Sequence, residues 1–185
     1  MTVSKEVVTH SSAARARNLL SALALATSLS LPSFGAAALL QQNTTPTADV
    51  RVATALQEAA LKYEIDQDGD YRILIEYSDE GRSQLVWTNS QTYALGDALE
   101  VREVWSVAYE VPTVLPVTLA NQLLQRNFDQ IMGNWQIMTI NGGSYVVFAA
   151  KVPADLAAEE LAAIVYAVSE TADDFEVEMM VGDEF

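Results

Sequence analysis

Three runs of this chain place apolar residues at every second position, "DYRILIEY" (70–77), "SQLVWTN" (83–89) and "LEVREVWSVAYEV" (99–111), and two more, "NWQIMTI" (134–140) and "SYVVFAAK" (144–151), flank a turn as the arms of a hairpin. That period of two is the signature of β-strands with one face turned to a core. The runs are joined by short turns, among them Asp79-Glu80-Gly81 and Asn141-Gly142-Gly143. Asn-Gly is a strong hairpin signal, because both residues tolerate positive φ. A parallel pair needs a crossover of a dozen or more residues, so these short links dictate antiparallel pairing. In the longest run Leu99, Val101, Trp105, Val107, Tyr109 and Val111 share a face, interrupted by Glu103. That face is expected to be buried, and the face of Glu100, Arg102, Ser106 and Glu110 to be the wetter one. Trp87, Trp105 and Trp135 are all expected in the core.

Three stretches instead follow helical spacing. The first runs from about Val50 to Lys62, with Asp49 as its cap, Val52, Leu56, Ala59 and Tyr63 on one face, and a Glu58–Lys62 pair. The second starts near Pro116, carries Leu119, Ala120, Leu123, Leu124 and Phe128, and stops by Gly133. The third spans about Ala158–Met179, with Leu161, Val165, Val168, Ala172, Phe175 and Met179 in one stripe and Leu156 placed to staple onto its first turn. The order is α-β-β-β(-β)-α-β-β-α: an α+β fold with helices packed on an antiparallel sheet. The last stripe also has heptad-like spacing, so a homodimer seam through this helix is the alternative to a core role.

The N-terminus has a different character. Lys5, Arg15 and Arg17 precede the apolar run "NLLSALALATSLSL", followed by Pro32 and the small residues "SFGAAA". Basic, apolar, then small is the order of an export signal. The reading is a signal peptide over 1–37, cut near Gly35–Ala38, a linker over 38–48, and a folded domain over 49–185. An uncleaved inner-membrane anchor is the alternative, although Leu19–Leu31 falls short of the roughly 20 apolar residues a spanning helix needs. Export implies a periplasmic protein. Loss of Lys5, Glu6, Arg15 and Arg17 takes the formal charge from -15 to -17 and removes His10, the single histidine. With no cysteine in the chain, the exported form would lack the residues for Ser-His-Asp, Cys-His and histidine-based metal chemistry. So acidic a chain repels phosphate-rich partners, which argues against nucleic acid.

Acids are therefore the residues to weigh. Asp66, Asp68 and Asp70 in "EIDQDGDYRILIEY" alternate like the start of a calcium loop. An EF-hand loop needs glycine at position six and a bidentate acid at twelve; here those positions hold Tyr71 and Tyr77. Asp68-Gly69 is read instead as the turn of a hairpin whose arms are "YEID" and "DYRILIEY", with weak calcium binding left open. "VGDEF" at 181–185 is similar to the GGDEF signature of cyclic-dinucleotide synthases. Valine replaces its first glycine and a helix precedes it, so Gly182 is read as a helix stop. No basic residue follows Lys151. Glu170, Asp173, Asp174, Glu176 and Glu178 are a candidate acidic surface for a basic partner, against the plainer reading of a solvated helix face. Carboxylate pairs can also hydrolyse glycosides without histidine, but no spacing selects a pair here.

From about Asp49 onward the chain resembles the YbjN-domain family of bacterial sensory transduction regulators. The resemblance lies in "DGDYRILIEY" and in "LLQRNFDQIMGNWQIMTINGGSYVVFAAKVPADLAAEELAAIVYAVSETAD": Asn127-Phe128 closing a helix, Gly133 before a strand, a hairpin, a Val-Pro and a last amphipathic helix. It implies a fold like that of the type III secretion chaperones and brings no catalytic residue, cofactor or metal ligand. The expectation is a non-enzymatic exported protein that binds a protein partner in a chaperone-like or sensory accessory role. A carboxylate-dependent periplasmic hydrolase is the alternative.

Overall fold

A computed structural model describes residues 47–185, apart from 79, 80 and 181. The segments read from the sequence as a signal peptide and, for the most part, a linker therefore lie outside the described residues. Seven strands form one antiparallel sheet: β1 (Glu64–Ile65), β2 (Tyr71–Tyr77), β3 (Arg82–Thr88), β4 (Tyr93–Leu95), β5 (Leu99–Val111), β6 (Asn134–Ile140) and β7 (Gly143–Pro153). Their order across the sheet is β1-β2-β3-β5-β7-β6, with β4 folded back on β5. The helices are α1 (Val50–Glu58), α2 (Val117–Asp129) and α3 (Ala158–Met179). The α+β class, with helices on an antiparallel sheet, is the one read from the sequence; between α1 and α2 the structure has five strands where the sequence reading gave three or four, the added ones being among the short β1 and β4.

Both hairpin signals act as expected. Gly69 turns at φ +83° between β1 and β2, and Asn141 and Gly142 turn at +50° and +85° between β6 and β7. Gly133 meets a stricter demand. It has φ +74°, and a Cβ there would lie 2.8 Å from the Phe148 ring and 2.9 Å from the Ala149 carbonyl oxygen. Only glycine admits this approach.

α3 lies across β3, β5 and β7. Leu161, Val165, Val168, Ala172 and Phe175 are buried in one cluster with Ile73, Val86, Val104, Val146 and Phe148 of the sheet. Burying each such side chain is worth about 1.5–3 kcal/mol. The chain's own sheet thus takes up the stripe that a dimer seam would need. α1 packs beside α3, and α2 against β6. Leu156 packs on the core, and the Glu160 carboxylate accepts from the Ala157 N–H, which fastens the start of α3.

Four local readings are corrected. α1 stops at Glu58, because Ala60 takes φ +56° and the Leu61 N–H turns back to the Leu56 carbonyl. Lys62 therefore lies beyond the helix, and no ion pair joins it to Glu58 among the described residues. On β5 the expected wet face is the one beneath the helices: Arg102, Val104, Ser106 and Ala108 are all buried. An irregularity between Val107 and Tyr109 then shifts the register, and Tyr109 and Val111 join the core. Of the tryptophans only Trp135 is in the core, against Phe148 and Phe175. Trp87 and Trp105 are directly paired across β3 and β5, on the sheet face opposite to Val86 and Val104. They are half-buried and stacked at 4.5 Å with rings 6° apart. On α2, Leu119 and Leu123 point inward while Leu124 and Phe128 do not.

Arg102 is only 2% exposed, yet it carries a charge. Its Nη2 donates to Asp49 Oδ2 at 2.7 Å and to the Ala154 carbonyl at 3.0 Å, and its Nη1 to the Asn89 carbonyl at 2.8 Å. Asp49 also caps α1 through the Arg51 N–H. Burial pushes the Asp49 carboxyl up, but the hydrogen bonds from Arg51 and Arg102 outweigh it and hold the group below the usual carboxylate range. The stability this supplies is present above pH ~4 and is lost as pH falls through the folded-state value. Arg102→Ala is expected to cost about 1.5–3 kcal/mol in urea unfolding, because it takes the donor from the Asn89 and Ala154 carbonyls and leaves Asp49 with Arg51 alone. Asp49→Asn is expected to flatten the acid limb of a stability–pH curve.

Candidate functional site

Three places gather the chemistry-bearing residues. The first is the aspartate turn. Asp66 Oδ1 accepts from the N–H groups of Asp68 and Asp70, both at 3.0 Å. Asp70 Oδ1 accepts from the Ser90 N–H at 2.7 Å, and Ser90 Oγ bonds the Gly69 carbonyl and the Asp49 N–H. The carboxylates of Asp66 and Asp70 thus hold backbone, and the turn is tied to the Arg102 corner. This is the hairpin reading of the sequence, with one oxygen each of Asp66 and Asp70 closing it.

The second place is the meeting of β2, β3 and α3. Ser169, Asp173 and Glu176 follow one another at steps of four and three along α3, beside the apolar stripe. Tyr77 Oη and Ser169 Oγ are 2.6 Å apart. Arg82, the first residue of β3, bonds Asp173 through Nε at 2.9 Å and Glu176 through Nη2 at 3.2 Å, with Asp183 at 3.7 Å. The ligand oxygens of Asp173, Glu176 and Asp183 lie within 4.8 Å of one another, a spacing suited to a cation. The Arg82 guanidinium already supplies that charge. Burial pushes the Glu176 carboxyl up, against the pull of the Glu184 N–H and of Arg82. Burial likewise pushes the Tyr77 phenol up to about 12, so it keeps its proton at neutral pH.

This arrangement divides the five carboxylates of the candidate acidic surface. Asp173 and Glu176 are buried, Glu176 at 0% exposure, so they do not belong to any surface. Glu170, Asp174 and Glu178 are exposed, and Glu178 pairs with Arg126 of α2 at 2.6 Å. Arg82, Tyr77 and Ser169 were missed by sequence reasoning. The available signal was that positions 169, 173 and 176 each follow a buried position of α3 by one residue. Their partners, some ninety residues distant, leave no mark at that spacing.

The third place is the outer side of α2. Val117, Leu124 and Phe128 are 75%, 67% and 91% exposed and fall on one helical face; Ile131, just beyond the helix, is fully exposed. Ile137 on β6, the edge strand beside α2, is half exposed. Asn127 fixes this corner by accepting the Trp135 N–H at 2.6 Å. Between Glu110 and Asp155 the chain has one acid, Asp129. The apolar face is thus set in the least acidic part of a strongly acidic protein.

The fold and these three places define an α+β module that uses its buried charges to hold its frame. A family model for YbjN, described as "Putative bacterial sensory transduction regulator", matches residues 48–179, which run from the cap of α1 to the end of α3. The chain belongs to the YbjN family. No curated protein matches it. Among the described residues no helix is long and apolar enough to cross a membrane.

Removal of Arg82 leaves Asp173 and Glu176 buried without their counter-charge. Arg82→Ala is expected to lower stability by about 3–5 kcal/mol at pH 7, measured by chemical unfolding. The raised Glu176 has the opposite sign to Asp49. Its ionisation weakens the folded state as pH rises above the unfolded-state value of ~4.3. Glu176→Gln is therefore expected to be more stable than the parent at pH 7, with the difference shrinking towards pH 4.

Proposed function

We propose that this chain is an exported, non-enzymatic regulator that works by binding a protein partner on the outer face of α2. The observation that carries the reading is the exposed row Val117, Leu124, Phe128 and Ile131. Contiguous apolar surface of this kind, in a soluble fold, marks an interaction site. The family's description as a regulator agrees with a binding role. Export is supported by the order of basic, apolar and small residues ahead of the domain.

The hydrolase alternative requires convergent carboxylates that a substrate can reach. Among the described residues Asp173, Glu176 and Asp183 converge; Asp183 is taken up by the Ser83 N–H and Oγ beside Arg82, and the pair Asp173 and Glu176 is sealed. The depression of 370 Å³ beside it is lined by Glu76, Tyr77, Ser78, Gly81, Arg82, Ser83 and Asp183, without either member of the pair. A raised carboxyl suits general acid chemistry only where a reacting group can meet it. The buried pair supports a structural role in place of catalysis. The exposed Glu170 and Asp174 form an acidic flank on α3 that is the competing surface, one suited to a basic partner.

The test is affinity capture of the exported form with two double variants. Leu124→Asp/Phe128→Asp is expected to lose the captured protein while its melting temperature stays within a few degrees, since both side chains are exposed. Glu170→Lys/Asp174→Lys is expected to retain it. Loss in the second variant and retention in the first would move the partner to the acidic flank of α3.

A further inference from the structure

β3 and β5 are paired only at Val86–Ser106, Trp87–Trp105 and Thr88–Val104. Past Ser106 the strand β5 departs from its register at Val107–Tyr109, and the Gln84 side chain spans the opening, with Nε2 donating to Ser106 Oγ at 2.7 Å and to the Val107 carbonyl. The edge of β3 from Ser83 to Leu85 thus has no strand of the sheet on that side. Residues 182–185 lie along it. The Leu85 N–H donates to the Phe185 carbonyl at 2.9 Å. The Ser83 N–H and Oγ reach the Asp183 carboxylate at 3.1 and 3.2 Å. Arg82 donates to the Gly182 carbonyl, and the Glu184 N–H donates to Glu176 Oε1 at 2.7 Å.

We propose that this edge of β3 is a peptide-binding slot, filled in cis by residues 182–185 and taken in trans by an extended segment of a partner protein with an acidic residue two positions before an aromatic one. The bound segment shows what the slot reads. An acid is recognised by Ser83 and Arg82, and a backbone carbonyl two residues later by Leu85. This is recognition by strand addition, in which main-chain bonds give affinity and alternate side chains give selectivity. Gly182, Asp183 and Glu184 are exposed, and Leu85–Phe185 is the cis occupant's one backbone–backbone hydrogen bond to the strand among the described residues; its other bonds run through the side chains of Arg82, Ser83, Asp183 and Glu176.

The slot also extends past its present occupant. Phe185 forms one wall of a groove of 630 Å³ whose other walls include Tyr63, Leu74 and Leu85, with Lys62 and Arg72 at its sides. Glu64 and Glu76 complete the lining, Glu64 lying 3.9 Å from Arg72. A longer segment therefore meets apolar surface that residues 182–185 do not use. The family match stops at residue 179, so the latch lies outside the matched span. The slot is separate from the α2 face, and neither reading depends on the other.

The probe is a fluorescein-labelled peptide of residues 178–185, titrated into the full chain and into the full-chain double variant Asp183→Lys/Phe185→Ser. The variant is expected to bind the peptide at least tenfold more tightly than the parent, since its own tail no longer competes. A peptide carrying the same two changes is expected not to bind. A variant that keeps its circular dichroism and melting temperature but binds neither peptide, or both alike, would overturn the proposal. So would a dimer of the parent chain that disappears in the variant, because it would assign the slot to a second copy. In the unaltered chain the peptide, at high concentration, is expected to shift the amide NMR signals of residues 182–185, freed from the strand, while those of Ser83 and Leu85 keep the same partners from the peptide. Unmoved signals of residues 182–185 would overturn it whether or not the variant folds.

Discussion

A guanidinium sealed from water holds the corner on which the rest of the molecule is set. Arg102 sits where α1 begins, β3 ends and β7 turns towards α3, and it touches a residue from each: Asp49, Asn89 and Ala154. Removing a charge from water costs several kcal/mol, and good geometry recovers it only when the donors are matched. Here the donors find a carboxylate and two carbonyls at ordinary hydrogen-bond distances. The aspartate turn joins the same corner through Ser90, so one polar network positions the first hairpin, the first helix and the approach to the last.

Arg82 does similar work at the other end of β3. It pins α3 through Asp173 and Glu176, as Arg102 pins α1 through Asp49. Between the two arginines the contact of helix and sheet is mainly apolar, with Gln84, Thr88 and Ser106 of the sheet buried within it. Helix positions are thus set by charge at the margins and by burial in the middle. An acidic chain has carboxylates in excess, and the structure draws some of them inside to meet its few arginines. What stays outside is uneven: acids crowd α3, whereas α2 and β6 are nearly free of them. That unevenness, together with the exposed Phe128 and Ile131, favours α2 as the surface turned to a partner.

Much of this frame was legible in the sequence because it is encoded locally. The Asp68-Gly69 and Asn141-Gly142 turns, the bounds of β5 and those of α3 follow from dipeptide chemistry and periodicity. The inward face of β5 was misread because Arg102 and Ser106 look like solvent residues until their partners, distant in sequence, are placed beside them. Ala60 ended α1 against its own helix preference, since a left-handed alanine has no sequence signal. On α2, Leu124 and Phe128 belong to a second apolar face, and a list of apolar positions does not say which face the sheet will take. The candidate acidic surface failed in the same way at Asp173 and Glu176, whose neighbour Arg82 lies on another element.

The central claim is that the α2 face, and not the acidic flank of α3, meets the partner. Photo-crosslinking from inside the native cell tests it without purification. A photoreactive residue is placed at position 128 in one strain and at position 174 in another, both sites being exposed. The account predicts a discrete adduct of one protein from position 128 and none from position 174. An adduct from position 174 with none from position 128 would contradict it.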